Sequence, residues 1–150
     1  MTTPAAPATA PLLTGQTIGL AYHAIAAVRD RLLAGSGLTF HRSVALKAVA
    51  DGFDRDGAVD RVATTLRIDA SRAHALLDEL AEEGLVDAAG ALTDAGDRVH
   101  RGFTDAVAAL TERLYGDLPT ADREIAARAL AHVTARADAE LSGPDLRPLG

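Results

Sequence analysis

The stretch LAEEGLVDAAGALTDAG, residues 80–96, decides the fold of this chain. It begins at the end of an amphipathic helix, and Gly84 provides the left-handed residue with which such helices commonly end. Short apolar segments on either side of Ala89-Gly90 predict a very short β-hairpin. Thr93 then serves as the N-cap of a long helix. A helix, a hairpin and a second helix therefore follow one another within this single stretch.

Two short helices joined by a tight turn precede the hairpin. The first is predicted over about 59–66, and the polar segment Asp54-Arg55-Asp56-Gly57 before it is predicted to be a loop. Asp69 is predicted to cap the second helix. The apolar positions of that second helix are Ala73, Leu76, Leu77 and Leu80. This pair is a helix-turn-helix, and the hairpin after it completes a winged helix.

Composition limits the classes of protein that this chain can represent. It has 150 residues, of which 48% are hydrophobic and 3% aromatic, and it contains no cysteine. A chain of this length forms one domain whose core needs no disulfide or metal for support. The lack of cysteine excludes disulfide frameworks, thiolate zinc sites, iron–sulfur clusters and thiol-based redox sensing. We predict no cofactor and no bound metal.

The fold class predicted from these patterns is mainly α, an α+β winged helix-turn-helix with about six helices and one very short wing. The long helices near the two ends carry more apolar surface than one small domain can cover, which favours a second copy of the chain as the partner. A monomeric bundle in which these helices cover each other is the alternative. In the last helix, Ile125 and Val133 are predicted to point inward.

The domain organisation follows from these helices. We predict a disordered arm at 1–13, a single folded unit at 14–141 and a flexible tail at 142–150. Within the folded unit, a winged helix-turn-helix at 38–96 lies between dimerisation helices at 14–36 and 97–141. No segment is long enough to cross a membrane. The first ten residues lack both the basic and the apolar part of a signal peptide, so we predict a cytoplasmic protein.

Several pieces of the sequence occur in a recognisable order. EEGLV at 82–86 and LTDAG at 92–96 follow the helix pair, with GLT at 37–39 before them and YGDLP at 115–119 after them. In this order and spacing the chain resembles the multiple-antibiotic-resistance regulator (MarR) family. The resemblance implies a homodimer held by the terminal helices, a DNA-reading helix in the major groove and a wing on the minor groove. It also implies a small ligand at the domain junction.

Carried over to this chain, the resemblance places the recognition helix at about 70–83. Arg72, on its leading end, has the chemistry to pair with guanine or with a phosphate, and Ser71 suits a phosphate. The residues predicted to contact double-stranded DNA are Ser71, Arg72, His74, Arg61 and Arg67. Each of them has an ordinary alternative as an exposed, solubilising side chain.

The charge distribution departs from the pattern of the family. The chain carries a formal net charge of −6, and residues 59–83 hold three arginines against six carboxylates, a net charge of −3. Where the family places an arginine after the GLV piece, this chain has Asp87. The wing contains no cation. We therefore predict a modest DNA affinity that falls steeply with salt.

Aromatic residues are scarce in the chain, yet they recur in two short pieces. Tyr22-His23 lies on the first helix and Phe40-His41-Arg42 at the start of the second. An aromatic wall with imidazole and guanidinium groups suits a planar anionic or phenolic small molecule. We predict that these five residues bind a ligand. The alternative is that the aromatic rings pack in the core and that the histidines and arginine are surface residues.

The function predicted from the sequence is that of a dimeric transcription regulator whose DNA binding is gated by a small aromatic or anionic ligand. One alternative is a protein of the same fold that has lost DNA binding and uses its pocket to bind or transform a small molecule. Another is a dimer with a purely structural or partner-binding role. The sequence contains no nucleophile elbow, phosphate loop or paired-carboxylate motif, so we do not expect an enzyme. Asp97 and His100 have the spacing of a metal pair, but an exposed polar pair is the favoured interpretation.

Overall fold

A computed structural model describes residues 12–144 and 146–148, and in this part the chain forms six α-helices. They are α1 (Gly15–Leu33), α2 (Phe40–Ala50), α3 (Arg55–Leu66), α4 (Ala70–Glu82), α5 (Asp94–Tyr115) and α6 (Thr120–Ser142). The mainly helical class and the number of helices are confirmed for the described residues. Most of the predicted arm at 1–13, and part of the predicted tail at 142–150, lie outside them.

Polar side chains begin three of the helices, and two of them, Asp69 and Thr93, are caps predicted from the sequence. The Thr39 hydroxyl accepts a hydrogen bond from the Arg42 N–H at the start of α2. Asp69 accepts one from the Arg72 N–H at 2.8 Å. The Thr93 hydroxyl accepts one from the Gly96 N–H at 3.0 Å. Each bond satisfies a backbone donor that has no partner inside the first turn of its helix.

Helix α3 begins earlier than the sequence pattern indicates. Its first helical residue is Arg55, because the Asp54 side chain accepts a hydrogen bond from the Gly57 N–H at 2.8 Å. The predicted loop at 54–57 is therefore wrong: Asp54 is an N-cap, and the polar residues after it form the first turn of the helix.

The chain divides into two units, one ending at Ala106 and the other beginning at Val107, and α5 runs through the boundary. In the first unit α2, α3 and α4 pack against one another. The most deeply buried large side chains of the core are Leu46, Val62, Leu76 and Leu80. This three-helix core fixes the position of α4.

The wing after α4 is very short. Its only pairing is one antiparallel bridge between Val86 and Leu92, and the described residues contain no longer strand. The predicted hairpin is thus reduced to a turn closed by a single bridge, and a β-ribbon wing is not confirmed. Val86 is buried and belongs to the core, so the base of the turn is fixed.

The start of α5 approaches the base of this turn closely. The Thr93 hydroxyl donates to the Gly84 carbonyl at 2.6 Å, and the Thr93 N–H donates to the Leu85 carbonyl at 3.1 Å. A β-carbon placed on Gly96 would lie 1.9 Å from the same Leu85 carbonyl oxygen. Glycine is therefore required at position 96 by the approach of two backbones.

The second unit contains the end of α5 and the whole of α6. The Ile125 and Val133 side chains, predicted to point inward, are 56% and 41% exposed in the single chain, so that prediction is wrong for one chain taken alone. In the first unit α1 also exposes apolar side chains, among them Leu20 and Ile25. No helix in the described part of the chain is long and apolar enough to span a membrane.

Candidate nucleic-acid interface and adjoining cavity

A tight three-residue turn joins α3 to α4. Arg67 ends α3 in the left-handed conformation, with φ of 56°, and its N–H donates to the Ala63 carbonyl. This conformation is uncommon for any residue other than glycine. Asp69 then caps α4. The two helices are therefore joined as the sequence predicts for a helix-turn-helix.

Helix α4 has one fully buried face and one face open to solvent. Ala73, Leu76, Leu77 and Leu80 are at most 3% exposed, which orients the helix. Ser71 and Arg72 are exposed at the first turn, and His74 is half-buried. Arg61 on α3 and Arg67 in the turn are exposed as well. The structure thus places four of the five residues predicted to contact DNA in solvent, and the fifth partly so.

Carboxylates hold two arginines of this region. The Arg72 guanidinium lies 2.9 Å from the Glu79 carboxylate, two turns further along α4, and its side chain is 50% exposed. Arg55 on α3 pairs with Asp78 on α4 at 2.5 Å. Ion pairs between exposed side chains are weak, on the order of 0.2–1 kcal/mol, so a better acceptor can displace either carboxylate.

Asp87 shapes the wing. Its carboxylate accepts hydrogen bonds from the Ala89 and Ala91 N–H groups at 2.9 and 3.0 Å, and its own N–H donates to the Ala91 carbonyl at 2.8 Å. Gly90, with φ of 83°, completes the turn. The position at which the resemblance leads one to expect an arginine is therefore occupied by an acid with a structural role. The tip of the wing presents no cation to a phosphate.

A cavity of about 600 Å³ lies beside the helix-turn-helix within the first unit. Its aromatic lining comes from Tyr22 on α1 and from Phe40 and His41 on α2. Its basic lining comes from Arg29, Arg67 and Arg72. None of the lining residues that the structure describes carries a carboxylate. Three of the five residues predicted to bind a ligand thus come together in one cavity.

Arg29 and Phe40 form one wall of this cavity. The carbon at the centre of the Arg29 guanidinium lies 3.8 Å from the centroid of the Phe40 ring, a cation–π contact. Its Nε and Nη2 atoms donate to the Asp30 carboxylate at 3.1 and 3.0 Å. The side chain is only 19% exposed. One wall of the cavity is therefore a fixed stack of a planar cation on an aromatic ring.

No model of a protein family matches the chain, and no curated protein sequence does so. Solved structures do match. A MarR-family transcriptional regulator from Rhodococcus sp. RHA1 is 22% identical, with 84% of this chain and 98% of that chain covered and a TM-score of 0.64. S. aureus MepR in complex with DNA is 19% identical, with coverages of 83% and 96% and a TM-score of 0.67. The chain has the MarR fold.

A third solved structure with the MarR fold bears on regulation. It is Bordetella bronchiseptica BpsR, whose DNA binding is regulated by 6-hydroxynicotinic acid. It is 20% identical to this chain, with coverages of 87% and 99% and a TM-score of 0.63. The match extends over nearly the whole of each of these three proteins, so the likeness includes the long terminal helices as well as the helix-turn-helix.

Two of the residues predicted to bind a ligand lie outside the lining of the cavity. His23 packs edge-on against the Tyr22 ring, with centroids 5.4 Å apart, but does not line the cavity. Arg42 forms an ion pair with Glu83 at the end of α4 and donates to the Gly37 carbonyl at 2.8 Å. Its side chain is 12% exposed. In this MarR fold Arg42 ties α2 to α4, while Arg29, Arg67 and Arg72 supply the positive charge of the cavity.

Sequence reasoning missed Arg29, although a signal was present. Arg29 follows Tyr22 by seven residues, which is two helical turns, so the two side chains share one face of α1. No comparable signal in the sequence indicates that Arg67 and Arg72 line the cavity, because their positions depend on where the MarR fold places the turn between α3 and α4.

No cluster of three or more metal-ligating side chains occurs among the described residues. Asp97, which has metal-pair spacing with His100, forms an ion pair with Arg101 at 2.5 Å. Asp97 and His100 are both half-buried, so they are not the exposed polar pair that the sequence favours.

Proposed function

We propose that this protein is a MarR-type transcription regulator that binds double-stranded DNA as a homodimer. The observation that carries the proposal is the arrangement of α4, whose apolar face is entirely buried while Ser71 and Arg72 extend from its capped first turn. A helix held in this way can enter the major groove with its leading end against the bases. The MarR fold, shared with the DNA-bound S. aureus MepR, supports this role.

The proposed contacts follow from the chemistry of the exposed groups. Arg72 is proposed to pair with guanine O6 and N7, and Ser71 and His74 to contact a phosphate or a base edge. Arg61 and Arg67 are proposed to hold the DNA backbone. Because the tip of the wing has no cation, Arg61 and Arg67 are the proposed phosphate-neutralising arginines in each protomer.

A homodimer is proposed because each unit exposes apolar side chains. Leu20, Ile25 and Val28 are exposed on α1, and Ile125, Leu130 and Val133 on α6. Large apolar patches of this kind mark interaction surfaces, and a second copy of the same chain is the most common partner. A dimer would present two α4 helices to two half-sites.

A small aromatic or anionic ligand is proposed to gate DNA binding. Support comes from the cavity lined by Tyr22, Phe40 and His41 together with three arginines. The regulation of B. bronchiseptica BpsR by 6-hydroxynicotinic acid, an aromatic carboxylic acid, adds to it. A cytoplasmic location agrees with such a role.

The alternative function is ligand binding, or transformation of a ligand, without DNA binding. The observation that favours it is the charge of the helix-turn-helix, where Glu79 and Asp78 hold Arg72 and Arg55 and residues 59–83 have a net charge of −3. The two functions differ in one measurable property, which is specific affinity for DNA.

The test is a mobility-shift assay at low salt with the DNA upstream of the protein's own gene and with random DNA. We expect wild-type protein to prefer the upstream DNA. Arg72→Ala is expected to weaken that binding roughly 30-fold, because about 1 kcal/mol or more of base discrimination is lost in each protomer. Arg31→Ala removes the same charge from an exposed position on α1 and should bind normally. Equal affinity of wild-type protein for both DNAs would refute the regulator and leave the alternative.

Glu79→Gln is expected to tighten DNA binding about two- to thirtyfold. The substitution frees the Arg72 guanidinium from a carboxylate 2.9 Å away, and the pair is worth on the order of 0.2–1 kcal/mol in each protomer. Glu82→Gln changes the net charge equally at an exposed position of the same helix and should give a smaller gain. Equal gains, measured by fluorescence anisotropy, would show that only net charge matters.

A further inference from the structure

The Arg42 side chain joins two separate parts of the first unit. Its Nη2 atom donates to the Glu83 carboxylate at the end of α4, and its Nη1 atom donates to the Gly37 carbonyl at 2.8 Å. Gly37, with φ of 72°, lies in the connection between α1 and α2. The backbone of Arg42 is held as well, because the Thr39 hydroxyl accepts a hydrogen bond from its N–H. One guanidinium therefore links the α1–α2 connection to the end of the proposed recognition helix.

The contact with Glu83 fixes the point at which α4 ends and the wing begins. Glu83 is the C-cap residue of α4, and Gly84 after it has φ of 73°. A carboxylate at the end of a helix is unfavourable, because it lies near the partial negative charge of the last carbonyls. The last turn of α4 contains no basic side chain, so Arg42 supplies the compensating cation. Loss of Arg42 would release this end of the helix.

Arg42 contributes more to geometry than to stability. Its side chain is 12% exposed, and its buried Nε atom has no hydrogen-bond partner among the described residues. Burial of a charged group costs free energy that its ion pair often only balances, so an apolar side chain of similar volume can replace it with little loss. Glu83 is half exposed, so water can solvate its carboxylate when the arginine is absent. Methionine at position 42 should therefore preserve the fold.

We propose that Arg42 is a positioning residue: by linking Glu83 to Gly37, it sets the direction of α4 and the wing relative to α1, and with it the spacing of DNA half-sites that the protein accepts. This inference rests on the proposed function, in which the apolar face of α1 contacts the second copy and α4 contacts DNA. Helix α1 packs against α2, and α2 packs against α4. In a dimer joined through α1, the direction of α4 relative to α1 determines the separation of the two recognition helices, which must match the separation of the half-sites.

The first experiment needs no DNA. Native-state hydrogen exchange is measured for the Gly84 and Leu85 N–H groups, which donate to carbonyls in the last turn of α4. In Arg42→Met we expect both groups to exchange at least about tenfold faster than in wild type, because a charge-assisted contact no longer holds this end of the helix. The Ala73 N–H at the start of α4 should exchange at its wild-type rate. The melting temperature should stay within about 4 °C of wild type.

Two further variants control this measurement. Arg55→Met makes the same chemical change at an arginine of α3 that also pairs with α4, through Asp78, and should leave both exchange rates unchanged. Glu83→Gln keeps the Arg42 side chain and a neutral acceptor, and should raise both rates about threefold. It replaces Arg42→Met as the test variant if Arg42→Met melts outside the expected range. Wild-type rates in the test variant would overturn the proposal.

The second experiment separates the role in spacing from the proposed function. Affinity is measured for the upstream DNA and for the same DNA with one base pair inserted at the centre of the footprinted site, a change of about 3.4 Å and roughly 35° between half-sites. We expect the insertion to weaken wild-type protein at least about tenfold and the test variant at most about threefold. The ratio of the two affinities of one protein cancels the effect of its net charge.

Each outcome has a distinct meaning. Equal ratios in wild type and the test variant would overturn the role of Arg42 in spacing while leaving the regulator intact. Absence of DNA binding by wild-type protein at low salt would overturn both the regulator and the role in spacing. The exchange rates would then still decide whether Arg42 holds the end of α4.

Discussion

Replacement of Gly96 by alanine is expected to lower the free energy of unfolding by about 3 kcal/mol, the upper end of the usual cost of overpacking, because the group that it meets is immobile. The new β-carbon would lie 1.9 Å from the Leu85 carbonyl oxygen, which is backbone and cannot rotate away. That carbonyl also accepts a hydrogen bond from the Thr93 N–H. A backbone shift that relieved the clash would therefore break the hydrogen bond that connects the start of α5 to the base of the wing. Urea unfolding followed by circular dichroism measures the loss.

Gly102→Ala is the matched control, because it makes the same chemical change in the same helix. A β-carbon at Gly102 would have no neighbour within 4 Å. Alanine is the better helix former, so this variant should gain about 0.5–1 kcal/mol. If Gly96→Ala is as stable as Gly102→Ala, the close approach of α5 to Leu85 is not a feature of the folded protein.

The affinity for upstream DNA is expected to fall about 150-fold when salt is raised from about 50 to 200 mM, because each neutralised phosphate contributes about 0.9 to the slope of log affinity against log salt. Arg61 and Arg67 supply two such contacts in each protomer of the proposed dimer, while Arg72 is assigned to a base. The wing adds none, since Asp87 and its alanine and glycine neighbours form the tip. The expected slope is therefore about −4.

Single substitutions measure how much each residue contributes to the slope of log affinity against log salt. Arg67→Ala should make it shallower by about 2, because a dimer loses one contact from each half. Arg31→Ala, on α1, should leave it unchanged. A wild-type slope shallower than about −2 would mean that these arginines do not neutralise phosphates together, and would contradict the proposed interface. Anisotropy titrations at several salt concentrations give all three slopes.

Much of the fold could be predicted because its signals are local. Asp69 and Thr93 cap helices at the expected positions, since an N-cap depends only on the next three residues. The same rule also explains the error at α3. Asp54 has the chemistry of a cap, but the polar residues after it have the composition of a loop, although they form a first helical turn.

The candidate site could be predicted only in part, because its charges are set by contacts between distant residues. The scarcity of aromatic rings in the sequence indicates Tyr22 and Phe40, and both line the cavity. The sequence also predicts Arg42 as a ligand-binding residue, yet its partner Glu83 lies 41 residues further along the chain. No periodicity links these two positions. The positive charge of the cavity comes instead from Arg29, Arg67 and Arg72, which the three-dimensional arrangement assembles.

The ion pair within α4 also affects how the protein would search a genome. Random DNA offers Arg72 a single phosphate, which has the same chemistry as the Glu79 carboxylate that already holds it. A guanine in the right place offers two acceptors in the geometry of the guanidinium fork. Breaking the Arg72–Glu79 pair would cost its full free energy at the guanine site, whereas on random DNA Arg72 can stay with Glu79. The carboxylate would therefore lower affinity for the right site without improving the ratio of specific to random affinity, and it would leave the protein free to move along random DNA without engaging Arg72.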